Sequence, residues 1–271
     1  MRKGAGRGLP LVAAFLLSGI TAVPAQTTSD PAPPAASPAP VLPAPAPASP
    51  AGLSDEADQL LRAMSRGLAA APSLAVELTV LREVALADGR TASLLSDITL
   101  AIRRPDRLRA DIRGDAVLAD VYYDGRKVTV HAIPQQVFAE EPAPASLDQA
   151  VPLLEDQLGV PLELGTLLVS DPHARLAPGT SGEVVSSTEI SGHPAWHLIL
   201  QSGPVAWELW VAQADLPLPL MVSVNRDGRR TLLRFDAWRI GPSIDESFFS
   251  FRQPPGTRPV PFARRQDGGD P

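Results

Sequence analysis

The residues best suited to chemistry stand in His193-Pro194-Ala195-Trp196-His197, an H-x3-H spacing. On a helix that spacing puts two imidazoles on one face, where they could share a metal ion. Pro194 and the alternation that follows predict a strand instead. Side chains four apart on a strand are separated by about 13 Å, too far to ligate one ion. His193 follows a Ser191-Gly192 turn and His197 faces away from Trp196 and Leu198, so both are expected at surface or cross-strand polar positions. His131 and His173 are isolated along the chain. No G-x-S-x-G elbow marks a serine nucleophile, and Gly4-Ala5-Gly6-Arg7-Gly8 lies in a leader, not in a phosphate loop. The absence of cysteine excludes disulfides, thiolate metal sites, cysteine nucleophiles and a lipidated N-terminal cysteine. No spacing of Asp and Glu singles out an acid/base pair. The expectation is a protein that is not an enzyme and uses no cofactor or metal. A net charge of −6 argues against nucleic acid as partner.

The apolar residues offer more. Trp207 shares strand parity with Val205, Leu209 and Val211, and Trp196 with Leu198 and Leu200. With Leu94, Ile98 and Leu100 of an earlier strand and Leu147, Val151 and Leu154 of a helix, Trp196, Trp207 and Leu209 could line a hydrophobic cavity. The alternative is that they fill a core.

Their positions depend on a simple element order. Ser54 is an N-cap candidate before Asp55, Glu56 and Asp58, and Leu60, Leu61, Met64 and Leu68 follow at helical spacing up to Pro72. From Leu74 the period becomes two. Strands are expected through Leu74–Val80, Ala92–Ile102, Arg107–Arg113, Ala119–Tyr123, Arg126–Ile133 and Gln136–Glu140, with hairpin turns at Asp88-Gly89 and Asp124-Gly125. A capping box, Ser146 with Gln149, opens a helix that ends at Gly159, and a second short helix covers Glu163–Val169 and stops at Ser170-Asp171-Pro172. Alternation resumes in Glu183–Ser191, Trp196–Ser202, Val205–Ala212, Leu218–Asp227 and Arg229–Ile240, with Phe248, Phe249 and Phe251 ending the ordered chain. The fold class is mainly β (α+β). It is a single curved antiparallel sheet or unclosed β-barrel of about eleven strands, with an N-terminal helix and a mid-chain helical lid.

Residues 1–25 read as a secretory signal peptide: Arg2, Lys3 and Arg7, the apolar Leu9–Ile20, then Val23-Pro24-Ala25 before a cleavage point at Gln26. An uncleaved anchor is the alternative, though a dozen apolar residues are short for a bilayer. Cleavage takes the net charge from −6 to −9, because the leader holds three cations and no acid. Residues 26–52 form a Pro/Ala-rich linker of polyproline II composition, with nine prolines between positions 31 and 50. The folded domain is expected at 53–262, with a polar tail at 263–271 that frays. No later stretch is apolar for long enough to span a membrane. The chain is expected to be exported to a bacterial periplasm and to be monomeric.

Several short motifs carry a resemblance. Arg103-Arg104-Pro105-Asp106 with Leu108, Tyr123-Asp124-Gly125-Arg126-Lys127 leading to Val128–Pro134, and Phe249–Gly256 are similar to segments of the LolA/LolB family of outer-membrane lipoprotein carriers and receptors. Arg104–Arg109, Leu147–Ala150, Ser170–Pro172 and Trp207–Trp210 resemble more closely the hallmarks of an uncharacterised family of predicted periplasmic proteins with that fold. The resemblance implies an unclosed barrel lidded by helices. It also implies that Arg104 is a latch, since the carrier's arginine at this place holds the lid by hydrogen bonds. The other reading of Arg104 is a solvated basic cluster with Arg103, Arg107, Arg109 and Arg113. The aromatic-rich cavity of the carrier is not reproduced by the mainly aliphatic strands here. The function implied is a periplasmic binding or carrier protein for an acyl chain, lipoprotein or other hydrophobic ligand held between barrel and lid. The alternative is a non-enzymatic envelope adaptor or sensor, similar to RseB, whose barrel is filled and which binds a protein partner.

Overall fold

Ser54 ends an extended segment, and its hydroxyl accepts the Ala57 amide at 3.2 Å, opening helix α1 (Asp55–Ala70). Its apolar stripe buries Ala57, Leu61, Met64 and Leu68. The computed structural model describes residues 52–158 and 162–262. The leader, most of the linker and the tail therefore lie outside the described residues, as does the expected helix stop at Gly159.

After α1 come strands β1 (Ser73–Ala85), β2 (Thr91–Arg103), β3 (Arg107–Gly114), β4 (Leu118–Tyr123), β5 (Lys127–Ala132) and β6 (Val137–Pro142). Helices α2 (Leu147–Leu158), α3 (Leu162–Leu168) and α4 (Pro172–Leu176) interrupt them. Strands β7 (Thr180–Ile190), β8 (His193–Ser202), β9 (Val205–Ala212), β10 (Pro219–Arg226) and β11 (Arg229–Ile240) follow, then a 3-10 turn over Glu246–Phe249 and strand β12 (Arg258–Pro259). All strands join one sheet in the order β12-β6-β5-β4-β3-β2-β1-β11-β10-β9-β8-β7. Neighbours are antiparallel except β12, which runs parallel to β6. The outermost strands, β7 and β12, are not paired with each other, so the sheet is unclosed.

Two elements differ from expectation for the same reason. β12 raises the strand count to twelve, and α4 follows directly where Ser170-Asp171-Pro172 suggested only a stop. A two-residue strand and a five-residue helix carry no measurable periodicity. In α4, Asp171 is the N-cap and Pro172 takes the first turn, so a signal for termination also serves initiation. Asp227-Gly228 closes a hairpin between β10 and β11, and both residues have positive φ (52° and 72°), which a type I′ turn needs.

Alternation assigns the faces. On β1, Leu74, Val76, Leu78 and Val80 enter one core cluster with Ile98, Leu100 and Ile102 of β2, the apolar residues of β8–β11, and the buried sides of α1–α4. The helices thus occupy the inner face of the sheet. On the outer face, Ala75 of β1 and Ala101 of β2 lie beneath Phe249, which is fully buried.

That phenylalanine belongs to a strap. After β11, Gly241 donates to the Ser73 carbonyl, and the chain crosses the outer face. Glu246 meets Arg107 at 2.8 Å and Arg103 at 3.2 Å. Phe248 lies under the Arg109 guanidinium at 4.4 Å, and Phe251 packs against Tyr122 and Phe138 at 5.6 and 5.0 Å. Order therefore continues past Phe251 to β12, whose flanking amides bond to Gln136 and Phe138 along the β6 edge. The opposite edge is partly occupied too. Ser54 donates to the Gly182 carbonyl on β7, and Gly182 donates to Gly52. A Cβ at Gly182 would fall 2.2 Å from the Ile199 carbonyl oxygen, so only glycine permits the close approach of β8 there.

Candidate functional site

Arg104 sits in the turn between β2 and β3, where its amide donates to the Pro72 carbonyl. Its Nη1 donates to the Leu168 carbonyl at 2.9 Å and its Nη2 to the Leu68 carbonyl at 3.4 Å. Those oxygens lie at the C-terminal ends of α3 and α1, where helical carbonyls lack intrahelical partners. Burial pushes the guanidinium below its ordinary pKa, and the nearby Asp148 carboxylate opposes that shift. The neighbouring arginines behave differently: Arg103 and Arg107 pair with Glu246, Arg109 with Asp111 and Arg113 with Asp120.

Polar contacts stitch the helices to one another. Asp148 of α2 accepts the Ser170 amide at 2.7 Å and also its hydroxyl. Asp171 accepts the Ala174 amide at 3.0 Å and the Ser65 hydroxyl of α1 at 3.0 Å. His173, isolated in the sequence, is brought to Asp58 of α1, with Nε2 2.7 Å from the carboxylate. Leu147 at the start of α2 donates to the Pro105 carbonyl. The fully buried Tyr123 donates its hydroxyl to Pro144, and burial pushes its pKa up to about 12.

Asp171 gives one test. Removing this cap by Asp171→Ala is expected to cost about 1 kcal/mol and to weaken amide protection in α4 selectively. The bonds from the Ala174 amide and the Ser65 hydroxyl hold its carboxyl below the usual range. The stabilisation is thus complete above the unfolded value near 3.9 and is lost as pH falls through the lower folded value. Hydrogen exchange of α4 in the variant and the parent, across that acid range, measures both effects.

The apolar candidates do not converge on one cavity. Ile98, Leu100, Leu147, Val151, Leu154, Trp207 and Leu209 are buried in the core cluster, and Trp196 packs half-buried against it. Leu94 is half-buried and stands outside the cluster, on the part of β2 nearer the Asp88-Gly89 hairpin, where Ala92 and Ser96 are half-buried as well. Two hollows remain. A cleft of about 200 Å³ lies between α3 and α4 and the ends of β7–β10, floored by Leu200, Val205 and Trp207 and flanked by Arg175 and Arg226. A groove of about 460 Å³ runs along α1, where Leu60 and Ala63 face Trp196. Parity with Trp207 and Trp196 already pointed to Val205 and Leu200. Nothing local pointed to Arg175, because α4 is too short to show a face, and parity with Val222 and Val224 gives Arg226 a face but not its place beside this cleft.

His197 stacks on Trp210 at 4.3 Å on the outer face, with Nε2 3.3 Å from Glu208, and His193 is exposed. Among the described residues no group of three or more His, Asp or Glu side chains could hold a metal ion. No helix among them is long and apolar enough to cross a membrane.

An unclosed antiparallel sheet with helices packed on its inner face, and a small cleft between the two, defines the molecule as a half-barrel filled on one side by helices. A family model matches residues 57–263, nearly all of that domain. The chain belongs to the family described as predicted periplasmic protein (DUF2092). Similar solved structures include an uncharacterised conserved protein from Thermus thermophilus, 14% identical with a TM-score of 0.46, which covers 76% of this chain and 99% of that one. The MucA/MucB complex of Pseudomonas aeruginosa contains a chain 17% identical with a TM-score of 0.42, covering 73% of this chain and 61% of that one. A LolA superfamily protein from Nitrosomonas europaea is 13% identical with a TM-score of 0.36, covering 71% and 95%. No curated protein matches the chain in sequence.

Proposed function

We propose that the protein is exported to the periplasm and binds a hydrophobic chain between its open sheet and helical cover, with Arg104 as the latch of that cover. The observation that carries this reading is the cleft of about 200 Å³ whose floor, Leu200, Val205 and Trp207, is continuous with the inner sheet face beneath α3 and α4. Drug-sized ligands occupy about 300–1,000 Å³. In this closed form the cleft suits one short chain, and the several chains of a lipoprotein would require the cover to move. Burial of each methylene contributes about 0.8 kcal/mol before the ordering costs of binding.

Native mass spectrometry of delipidated protein re-exposed to a lipid extract tests the reading. Retention of a single-chain adduct is the expected result, and retention of no acyl species would overturn it. N-terminal sequencing of the exported protein is expected to begin at Gln26. The second reading, an envelope adaptor with a filled barrel, is favoured by one observation: Leu61, Met64, Leu147 and Leu154 of the helices are fully buried against the sheet. It predicts that delipidated protein captures a protein partner and retains no acyl ligand.

A further inference from the structure

The cleft has an uneven charge. Among its described lining residues are two arginines, Arg175 and Arg226, and the hydroxyl residues Thr166, Thr180 and Ser202, and none of these described residues is a carboxylate. The chain as a whole has 30 acidic residues against 24 basic ones, so two cations and no acid among the described lining residues run against the composition. Elsewhere on the sheet arginines are neutralised by acids: Arg230 by Glu208, Arg234 by Asp236 and Arg239 by Glu77. Arg226 forms no ion pair among the described residues, and the residue directly opposite it on β11 is another cation, Arg229. Like charges facing each other across a strand pair repel, and an anion between or beside them relieves the repulsion.

Arg226 also has the parity of Val222 and Val224, both buried on the inner face. It ends β10 as an exposed residue flanking the cleft. Arg175 reaches the same cleft from α4. Guanidinium groups present a planar fork that matches the oxygens of a phosphate or carboxylate. Leu200, Val205 and Trp207 continue the lining as an apolar floor, which a free anion would leave unused.

We infer that the cleft takes a single-chain anionic amphiphile, with Arg226 and Arg175 binding a phosphate or carboxylate head and Leu200, Val205 and Trp207 receiving the start of the chain. The inference rests on the reading of this cleft as the ligand site and adds the head-group chemistry. The shared chemistry is the anionic head, whether it comes from a lipid or from a small soluble anion, so the test separates chain from head.

Calorimetric titration of the full protein with octyl phosphate, octanol and inorganic phosphate measures each part. Octyl phosphate is expected to bind at least about tenfold more tightly than either of the others, because charge-assisted bonds to guanidinium add to chain burial. Arg226→Gln is expected to remove most of that preference while leaving the affinity for octanol unchanged. Arg239→Gln deletes the same charge on the outer face, beside Glu77, and is expected to leave all three affinities unchanged. Equal binding of octanol and octyl phosphate, unaltered in Arg226→Gln, overturns the head-group assignment and leaves the hydrophobic cleft standing. Inorganic phosphate binding as tightly as octyl phosphate also overturns it, since the site is then one for small anions. Binding of neither octyl compound overturns the cleft reading itself, and this inference with it.

Discussion

Replacing Phe249 with alanine is expected to destabilise the protein by about 3–5 kcal/mol, the range for truncating a fully buried aromatic side chain. Phe249 is 0% exposed and rests on Ala75 and Ala101, whose short side chains cannot move in to fill the space it leaves. It is also the apolar anchor of the strap that runs from Gly241 to β12. Once it is lost, the strap is held by ion pairs of the exposed Glu246 and by the aromatic contacts of Phe248 and Phe251. Exposed ion pairs are worth at most about 1 kcal/mol each. Release of β12 would then leave the β6 edge unpaired, a template for aggregation. Urea denaturation is expected to show a lower midpoint, and hydrogen exchange a loss of protection in Val137–Pro142. A loss of less than about 1 kcal/mol, with β6 still protected, would show that the strap does not depend on this anchor. Glu246→Gln, by contrast, is expected to leave the denaturation midpoint nearly unchanged, because solvent screens the ion pairs of an exposed carboxylate.

Arg104→Leu is the second large effect. The substitution preserves much of the apolar stem but removes both donors, leaving the Leu68 and Leu168 carbonyls without this partner. A partly buried acceptor that loses its bond costs about 1–3 kcal/mol, so loss of both bonds is expected to cost about 2–4 kcal/mol. The effect should be local, because Arg104 joins the cover to the sheet margin and does not pack in the centre of the core. Amide exchange in α3 and at the end of α1 is expected to accelerate at least about tenfold, and any bound chain to exchange faster. Arg104→Lys keeps the charge but loses the fork, so it is expected to restore only one of the two contacts. Unchanged protection of α3 in Arg104→Leu would remove the latch.

The strands show which parts of such a protein are legible in a linear sequence. Leu74 to Val80, Ala92 to Ile102 and Trp207 to Val211 declare their faces by alternation, because a strand repeats every two residues whatever it packs against. Ser54 announces α1 by capping chemistry that acts within three residues. Asp227-Gly228 announces its hairpin because few residue pairs tolerate two positive φ angles. Each of these signals is local.

The cleft and the contacts of Arg104 are of another kind. Arg104 meets a carbonyl 64 residues further on, His173 a carboxylate 115 residues before it, and Arg107 a glutamate 139 residues away. Ser170-Asp171-Pro172 reads as an ending, although the same Asp cap and Pro also open α4. The family resemblance pointed Arg104 toward the helices, and strand parity sets Arg226 on the face of Val222 and Val224, but nothing in the sequence marks Arg175 and Arg226 as neighbours. Apart from α4 and β12, element order, the inner and outer faces and the family follow from local pattern in the chain. It takes the folded molecule to divide the apolar candidates between a filled core and two hollows, and to set two distant arginines beside one of them. Periodicity records what each residue turns toward a face. What stands opposite across that face depends on sheet order and helix docking, which are set by burial summed over the whole chain.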